Sequence, residues 1–350
     1  MTDKQLNIPF IARASLLGIL IAFCLYYDFY LRYFPGGLTS AIAFDYHNFW
    51  IAANAPLREL YKGVDAFVYP PSGLWLVKPL KGLPYWPGYA AWVILSLAAF
   101  IWAALRWFSW SAVALSLVSP IIVRAAMLGQ TPLFLSALLL TGFAVSGVAA
   151  AVALGVIASV KPQLVFLAPI ALLARREWQA IGVMAGAFVA SVIIELVLFG
   201  PSLWGDWVAV MPAWHGRLIE QNVLSVSVGV AARAEFHGFP PIPFLVTSIV
   251  LGIVIIYKAA PKVEGAHLAA LIVGVSAVAA PYSLPHDLVI LAPLAAAVLL
   301  GKPSLMMVPA ALFFAYVSLP LAGLLFGMVT LYHIFKISRE RAPVPSASSK

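Results

Sequence analysis

The chain has 350 residues, of which 63% are hydrophobic and only 10% charged, and it carries a net charge of +8. A water-soluble domain holds roughly 45–50% apolar and about 25% charged residues, so no soluble core could hide this much apolar surface and lipid must cover it. The basic balance then reads as membrane topology instead of nucleic-acid binding, because Lys and Arg collect on the cytoplasmic flanks of membrane spans.

A spanning helix needs roughly 20 apolar residues, fewer where the bilayer is thinned. The first apolar run, 9–28, follows Lys4, has Arg13 near its start and shows no small-x-small cleavage pattern after it, so it reads as a retained signal anchor. It contains Cys24, the single cysteine, which leaves no internal disulfide and no Cys/His metal spacing. Residues 28–84 form a loop rich in Asp, Tyr, Trp and Pro, in which FDYHNFW has the mixed polar and aromatic character of an amphipathic surface helix. Within that loop, 72–82 reads as a surface hairpin, because making it a span would invert everything after it.

Further spans are expected at 85–106, 109–128, 131–147, 148–162, 163–175 and 179–199. A second long loop, 200–242, holds Trp204, Trp207, Trp214, His215, Arg217 and Glu220. Spans at 243–258, 265–281, 286–300, 303–319 and 320–336 complete a set of about twelve, all helical because an open sheet edge cannot survive in lipid. The expected fold is thus an all-α polytopic membrane protein with amphipathic helices on its outer face. One transmembrane domain covers 1–336, and the Pro/Ser-rich tail 337–350 is read as disordered and cytoplasmic.

With the N-terminus inside, alternation places Arg106, Arg175-Arg176, Lys258 and Lys262, Lys302, and Lys336, Arg339 and Arg341 on the inner side. Splitting 148–174 at Lys161-Pro162 is what keeps Arg175-Arg176 inside. Both long loops then face outward, together with the turns at Gly129-Gln130-Thr131, Lys161-Pro162-Gln163 and Pro281–Asp287.

The residues able to do chemistry therefore gather on one side. Asp45 is placed to act as a general base toward a hydroxyl, against a plain solvated or helix-capping role. His47 sits beside it. Tyr69-Pro70-Pro71 is a rigid turn entering apolar sequence, two of its backbone donors being absent. Arg124 lies in an apolar run, where a cation is costly and is paired, faces a wet cavity or snorkels to the interface. Gln130 lies in a turn and could hydrogen-bond a sugar. Lys161 precedes a helix-breaking proline and is a point-charge binder of phosphate, or an interface anchor. His286 can donate to phosphate or shuttle a proton near neutral pH, and Asp287 beside it can line a cavity or cap a helix. His267 and His333 read as structural. There is no P-loop, Rossmann fingerprint, zinc-protease motif or EF-hand loop, and no DxD-like pair.

Taken in order, FDYHNFW, the YPP turn, LGQT between spans, ASVKPQ, the basic ARREW and PYSLPHD resemble glycosyltransferase family 87, the polyprenol-phosphate-mannose-dependent mannosyltransferases of the C-type glycosyltransferase fold, over roughly residues 10–300. The resemblance implies an inverting transfer of a sugar, most simply mannose, from a polyprenyl-phosphate-linked donor to a lipid or glycan acceptor, with no cofactor and no metal. It implies Asp45 as the catalytic base, Lys161 and His286 toward the donor phosphate, and Tyr69 and Gln130 in the substrate cavity; from their own chemistry and position Arg124 joins the phosphate side and His47 and Asp287 the cavity. The protein would sit in the inner membrane with its site facing the periplasm or exterior, both termini cytoplasmic, and membrane lipids as neighbours. The rival readings are a lipid or solute transporter, which lacks the paired repeats such proteins show, and a non-catalytic scaffold of the same fold.

Overall fold

A computed structural model of the chain describes residues 42–62, 67–220, 227 and 241–301, with backbone only for 215–220 and 241. The expected spans 9–28, 303–319 and 320–336, Cys24, His333, the 337–350 tail and the side chains of His215, Arg217 and Glu220 lie outside the described residues.

The described residues are helical throughout, with no strand among them. Helix α1 (Phe44–Asn54) packs one face on the core through Tyr46, Phe49, Ala52 and Ala53, the spacing of one side of a helix. It is followed by helical turns at Pro71–Gly73, Leu74–Val77 and Lys78–Leu80. The long helix α2 (Tyr85–Ala104) leads to α3 (Trp110–Leu117) and α4 (Pro120–Leu128). Next come α5 (Pro132–Val145), α6 (Gly147–Val160), a tight turn at Pro162–Leu164, α7 (Ala168–Ala174), α8 (Trp178–Phe199) and α9 (Ser202–Glu220). Finally α10 (Pro241–Ala259) and α11 (Gly265–Ala279) precede tight turns over Pro285–Leu291 and α12 (Ala292–Leu300).

Each of the expected spans that falls within the described residues coincides with a helix or helix pair. Among the described residues, three helices are long and apolar enough to cross a bilayer: Tyr85–Ala104, Trp178–Phe199 and Ile242–Lys262. A fourth crossing is made if α3 and α4, bent by 59° at the Ser119-Pro120 break, form one span. The other apolar helices, including Pro132–Val145 and Gly147–Val160, are shorter, so twelve full crossings do not follow from helix length. The break expected at Lys161-Pro162 is present: α6 ends there, and Lys161 leaves the helical region at φ −147 and ψ 72. Proline without an N–H, and its bias against α geometry in the preceding residue, account for the break.

One expectation is corrected. Residues 72–82 do not form a surface hairpin. Ser72, Gly73, Leu74, Val77 and Leu80 are buried, and the stretch is a chain of short helical turns wedged between α1, α6 and α8. Two prolines and a glycine at Pro70-Pro71-Ser72-Gly73 favour tight turns over strand pairing.

Burial separates a central helix from a peripheral one. Nearly every residue of α11 is buried, the pattern of a helix apolar all round and enclosed by others. In α8 only Met184 and Glu195 are buried, and Ile193, Ile194, Val197 and Leu198 are exposed, as suits a helix that faces lipid. It crosses α6 closely: a Cβ on Gly155 would sit 2.3 Å from the Met184 carbonyl oxygen.

The bundle has two chemically different ends. At one, the Arg175 guanidinium donates to Ala260 O (2.9 Å) and Val263 O (2.8 Å) and pairs with Glu177 (2.6 Å). Gly265 packs there against the Trp107 ring. The basic stretches around 106, 175 and 258–262, expected on one side from charge, are therefore close in space. The connections at 129–131, 161–164 and 280–287 lie at the opposite ends of the same helices.

Candidate active site

The LGQT turn shows how local sequence builds the opposite end. Gly129 closes α4 in the left-handed region, φ 74, which glycine adopts without steric cost. The amides of Gly129 and Gln130 return to Ala126 O (3.1 Å) and Ala125 O (2.8 Å), a Schellman-type ending. A Cβ on Gly129 would lie 2.6 Å from Tyr46 Cβ, so the turn also needs glycine to let α1 approach. Trp92 Nε1 donates to Gly129 O at 2.9 Å and fixes the turn from the other side.

Helix α1 arrives with a strained first residue. Ala43 has φ 63, costly for a residue with a Cβ. Its amide donates to Met127 O (2.7 Å) and its carbonyl accepts from Tyr85 Oη (3.1 Å). These two bonds anchor the start of α1 to the end of α4 and to the start of α2, and place Asp45, in the first turn, beside Gln130.

Asp45 is half-buried. Burial pushes its carboxyl above the ordinary carboxylate range, while a side-chain hydrogen bond with Gln130 and the positive charges of Arg124 and Lys161 pull the other way. Gln130 also accepts from Tyr69 Oη through Oε1 at 3.2 Å, and the same phenol shares a 2.8 Å hydrogen bond with Thr131 Oγ1. Lys161 Nζ stands 5.5 Å from the centroid of the Tyr69 ring.

Lys161 and Asp287 form a buried ion pair, with side-chain exposures of 5% and 0%. The second carboxylate oxygen of Asp287 accepts from Ser283 Oγ (3.1 Å) and the Leu284 amide (3.0 Å). Asp287 thus pins the PYSLPHD turn to the α6 break and partly cancels the Lys161 charge. His286 is 2% exposed, and neither ring nitrogen has a hydrogen-bond partner among the described residues. It lies in the electrostatic range of Asp287, Lys161 and Arg124.

The structure therefore brings Asp45, Tyr69, Arg124, Gln130, Lys161, His286 and Asp287 into one cluster, from segments as far apart in the chain as Asp45 and Asp287. It leaves His47 out: that side chain is exposed and packs edge-on against the Tyr85 ring, centroids 5.9 Å apart. One residue off Tyr46 along a helix turns His47 roughly 100° away from the core face. Sequence reasoning missed Thr131 and Tyr282. Tyr282 stands within electrostatic range of Asp45, Tyr69 and Asp287, and its ring lies 4.7 Å from that of Trp214. Both belong to motifs already singled out, LGQT and PYSLPHD, so their positions were readable though their contacts were not.

The arrangement offers a carboxylate with a raised proton affinity, one half-buried guanidinium, a lysine whose charge Asp287 partly cancels, and a histidine whose ring nitrogens have no hydrogen-bond partner among the described residues. These groups suit taking a proton from a hydroxyl and receiving an anionic leaving group. The family model for glycosyltransferase family 87 matches residues 67–283, which include Tyr69, Arg124, Gln130 and Lys161. Asp45, His286 and Asp287 fall outside the matched stretch and reach it only through the fold. No curated protein and no solved structure matches the chain. Composition, apolar helices and the family model over more than half the chain agree: the protein belongs to glycosyltransferase family 87 and is a membrane glycosyltransferase.

Proposed function

We propose that this glycosyltransferase moves a sugar, mannose in the first instance, from a polyprenyl-phosphate donor to a hydroxyl of a lipid or glycan acceptor on the outer face of the inner membrane. Asp45 takes the acceptor hydroxyl proton. The acceptor oxygen forms a bond to the anomeric carbon as the bond from that carbon to the phosphate oxygen breaks. The electron pair of the broken bond leaves on the polyprenyl phosphate, and a single displacement of this kind inverts the anomeric centre. Arg124 and a ring N–H of His286 face the leaving phosphate, and Lys161 contributes the charge that Asp287 does not cancel. Tyr69 and Gln130 line the cavity and hold the orientation of Asp45.

In the same reading the chain has the C-type glycosyltransferase fold with about twelve crossings, the short helices tilting or thinning the bilayer around a cavity open to lipid. Irregular backbone at membrane depth is tolerated where it is buried or wet, which suits the Lys161-Pro162 break and the Pro285–Leu291 turns. The basic end of the bundle faces the cytoplasm.

The observation that carries the proposal is the convergence of Asp45 with Arg124, Lys161 and His286 at the end of the bundle opposite the basic loops. Purified protein in liposomes with radiolabelled polyprenyl-phosphate mannose and a crude lipid extract tests it. Transfer by wild type and none by Asp45→Asn is the expected result. Equal transfer by both would remove Asp45 as base. Transfer from polyprenyl-phosphate glucose or a pentose instead would keep the mechanism and change the sugar.

A further inference from the structure

Glu195 is the one carboxylate in the lipid-facing helix α8, four residues from its end at Phe199. Its neighbours Ile194 and Leu196 are exposed apolar residues, yet Glu195 itself is fully buried. An acid at such a place is costly unless its oxygens are satisfied. They are: Ser72 Oγ donates to Oε2 at 2.7 Å and Trp75 Nε1 to Oε1 at 3.3 Å. Both donors come from the short helical turns after the YPP motif, and nothing in the proposed chemistry uses Glu195.

Those turns are held at their far end too. Lys78 Nζ donates to Ala52 O (3.0 Å) and Ala53 O (3.2 Å), the free carbonyls at the end of α1. At their near end they carry Tyr69, whose carbonyl accepts from Tyr61 Oη at 2.9 Å. The link between Ser72 and Tyr69 is stiff. Pro70 and Pro71 fix the backbone, the Gly73 amide returns to Pro70 O at 2.8 Å, and a Cβ on Gly73 would meet Tyr69 Cβ at 2.7 Å. Tyr69 Oη is in turn the donor that holds Gln130, the partner of Asp45.

We infer that Glu195 is a positioning residue: through Ser72 and Trp75 it fixes the 69–77 turns against α8 and so holds Tyr69 on the Gln130–Thr131 turn. The effect on transfer rests on the function proposed above; the mechanical link does not. In Glu195→Gln the amide oxygen can still accept from Trp75 Nε1 and the amide nitrogen can donate to Ser72 Oγ, so both contacts persist but lose their charge assistance. Replacing charge-assisted by neutral hydrogen bonds predicts roughly a tenfold fall in kcat/KM for sugar transfer. In a Tyr69→Phe background the same substitution should cost less than about twofold, because contacts in one chain do not add.

The first readout is hydrogen–deuterium exchange of the detergent-solubilised protein. Glu195→Gln should speed exchange in 67–77 and in the 129–133 turn, and Tyr69→Phe should speed it in 129–133 alone. Unchanged exchange at both sites would overturn the inference. Faster exchange confined to 67–77, with kcat/KM intact, would make Glu195 a local staple and overturn it equally. Multiplying effects in the double variant would mean that Glu195 does not act through Tyr69. If wild type transfers no sugar while exchange changes at both sites, the link stands and the proposed function falls.

Discussion

Breaking the Lys161–Asp287 pair is the most direct test of how this site is built. Both side chains are buried, so removing one leaves the other as an uncompensated charge. Breaking such a pair costs about 3–5 kcal/mol. Asp287 stands to lose more than Lys161 does, since its carboxylate also satisfies Ser283 Oγ and the Leu284 amide. In Asp287→Asn one amide oxygen can still accept from those donors, but the amide nitrogen then meets the Lys161 ammonium. In Lys161→Met the buried anion loses its cation and keeps its two neutral donors. We expect both single variants to unfold several degrees earlier, at about 2–4 °C per kcal/mol for a chain of a few hundred residues. The double variant Lys161→Met/Asp287→Asn removes both charges and should recover most of the loss, a coupling of about 2 kcal/mol or more. Thermal unfolding of detergent-solubilised protein, followed by tryptophan fluorescence, reads all four proteins. Single variants that shift the midpoint by less than about 1 °C, or losses that simply add in the double variant, would refute a buried, mutually compensating pair. Transfer activity should not return with stability in the double variant, because the phosphate side has lost a cation.

Three further outcomes follow from the geometry. Since burial raises the Asp45 proton affinity, the rate of transfer should climb with pH through a limb above the usual carboxylate value of about 4, where Asp45 loses its proton; a limb at or below that value would contradict the raised position. Gly129→Ala places a Cβ 2.6 Å from Tyr46 Cβ at a positive φ, so it should cost about 2–3 kcal/mol and displace α1, read as a lowered unfolding midpoint with transfer lost more steeply than stability. Gly155→Ala puts a methyl 2.3 Å from the Met184 carbonyl oxygen and should cost about 1–3 kcal/mol of stability, read as a lowered unfolding midpoint, with KM unchanged, because the α6–α8 crossing holds no group of the proposed site; a shift in KM would place that crossing in the cavity.

Much of the plan was readable from residue order. Apolar runs located the helices, because a run that long has no other stable form in lipid. Lys161-Pro162 announced a break for a local reason, the missing N–H and the clash with the preceding residue. Gly129 announced a tight turn for the same kind of reason. The 72–82 stretch defied that reading: its apolar and basic residues fit an interface hairpin as well as a buried wedge, and only the carbonyls of α1, the carboxylate of Glu195 and the packing around Tyr69 select the wedge. His47, a weaker candidate in the same segment as Asp45, lies two positions along the helix, and that turns it to the opposite side.

The sequence by itself determined that the protein is helical, lies in a membrane, and keeps its candidate chemistry in connections at one end, since hydrophobicity, charge asymmetry and proline act locally and leave a local trace. Which groups meet was decided by tertiary structure alone. That Asp287 occupies Lys161, that Gln130 joins Tyr69 to Asp45, and that a glutamate in a lipid-facing helix holds the turns behind Tyr69 all depend on distances between segments more than a hundred residues apart in two cases and tens apart in the third. Spacing along a chain carries no information about such distances. They exist because buried polar groups must find partners, and the packed bundle determines which partners are in reach.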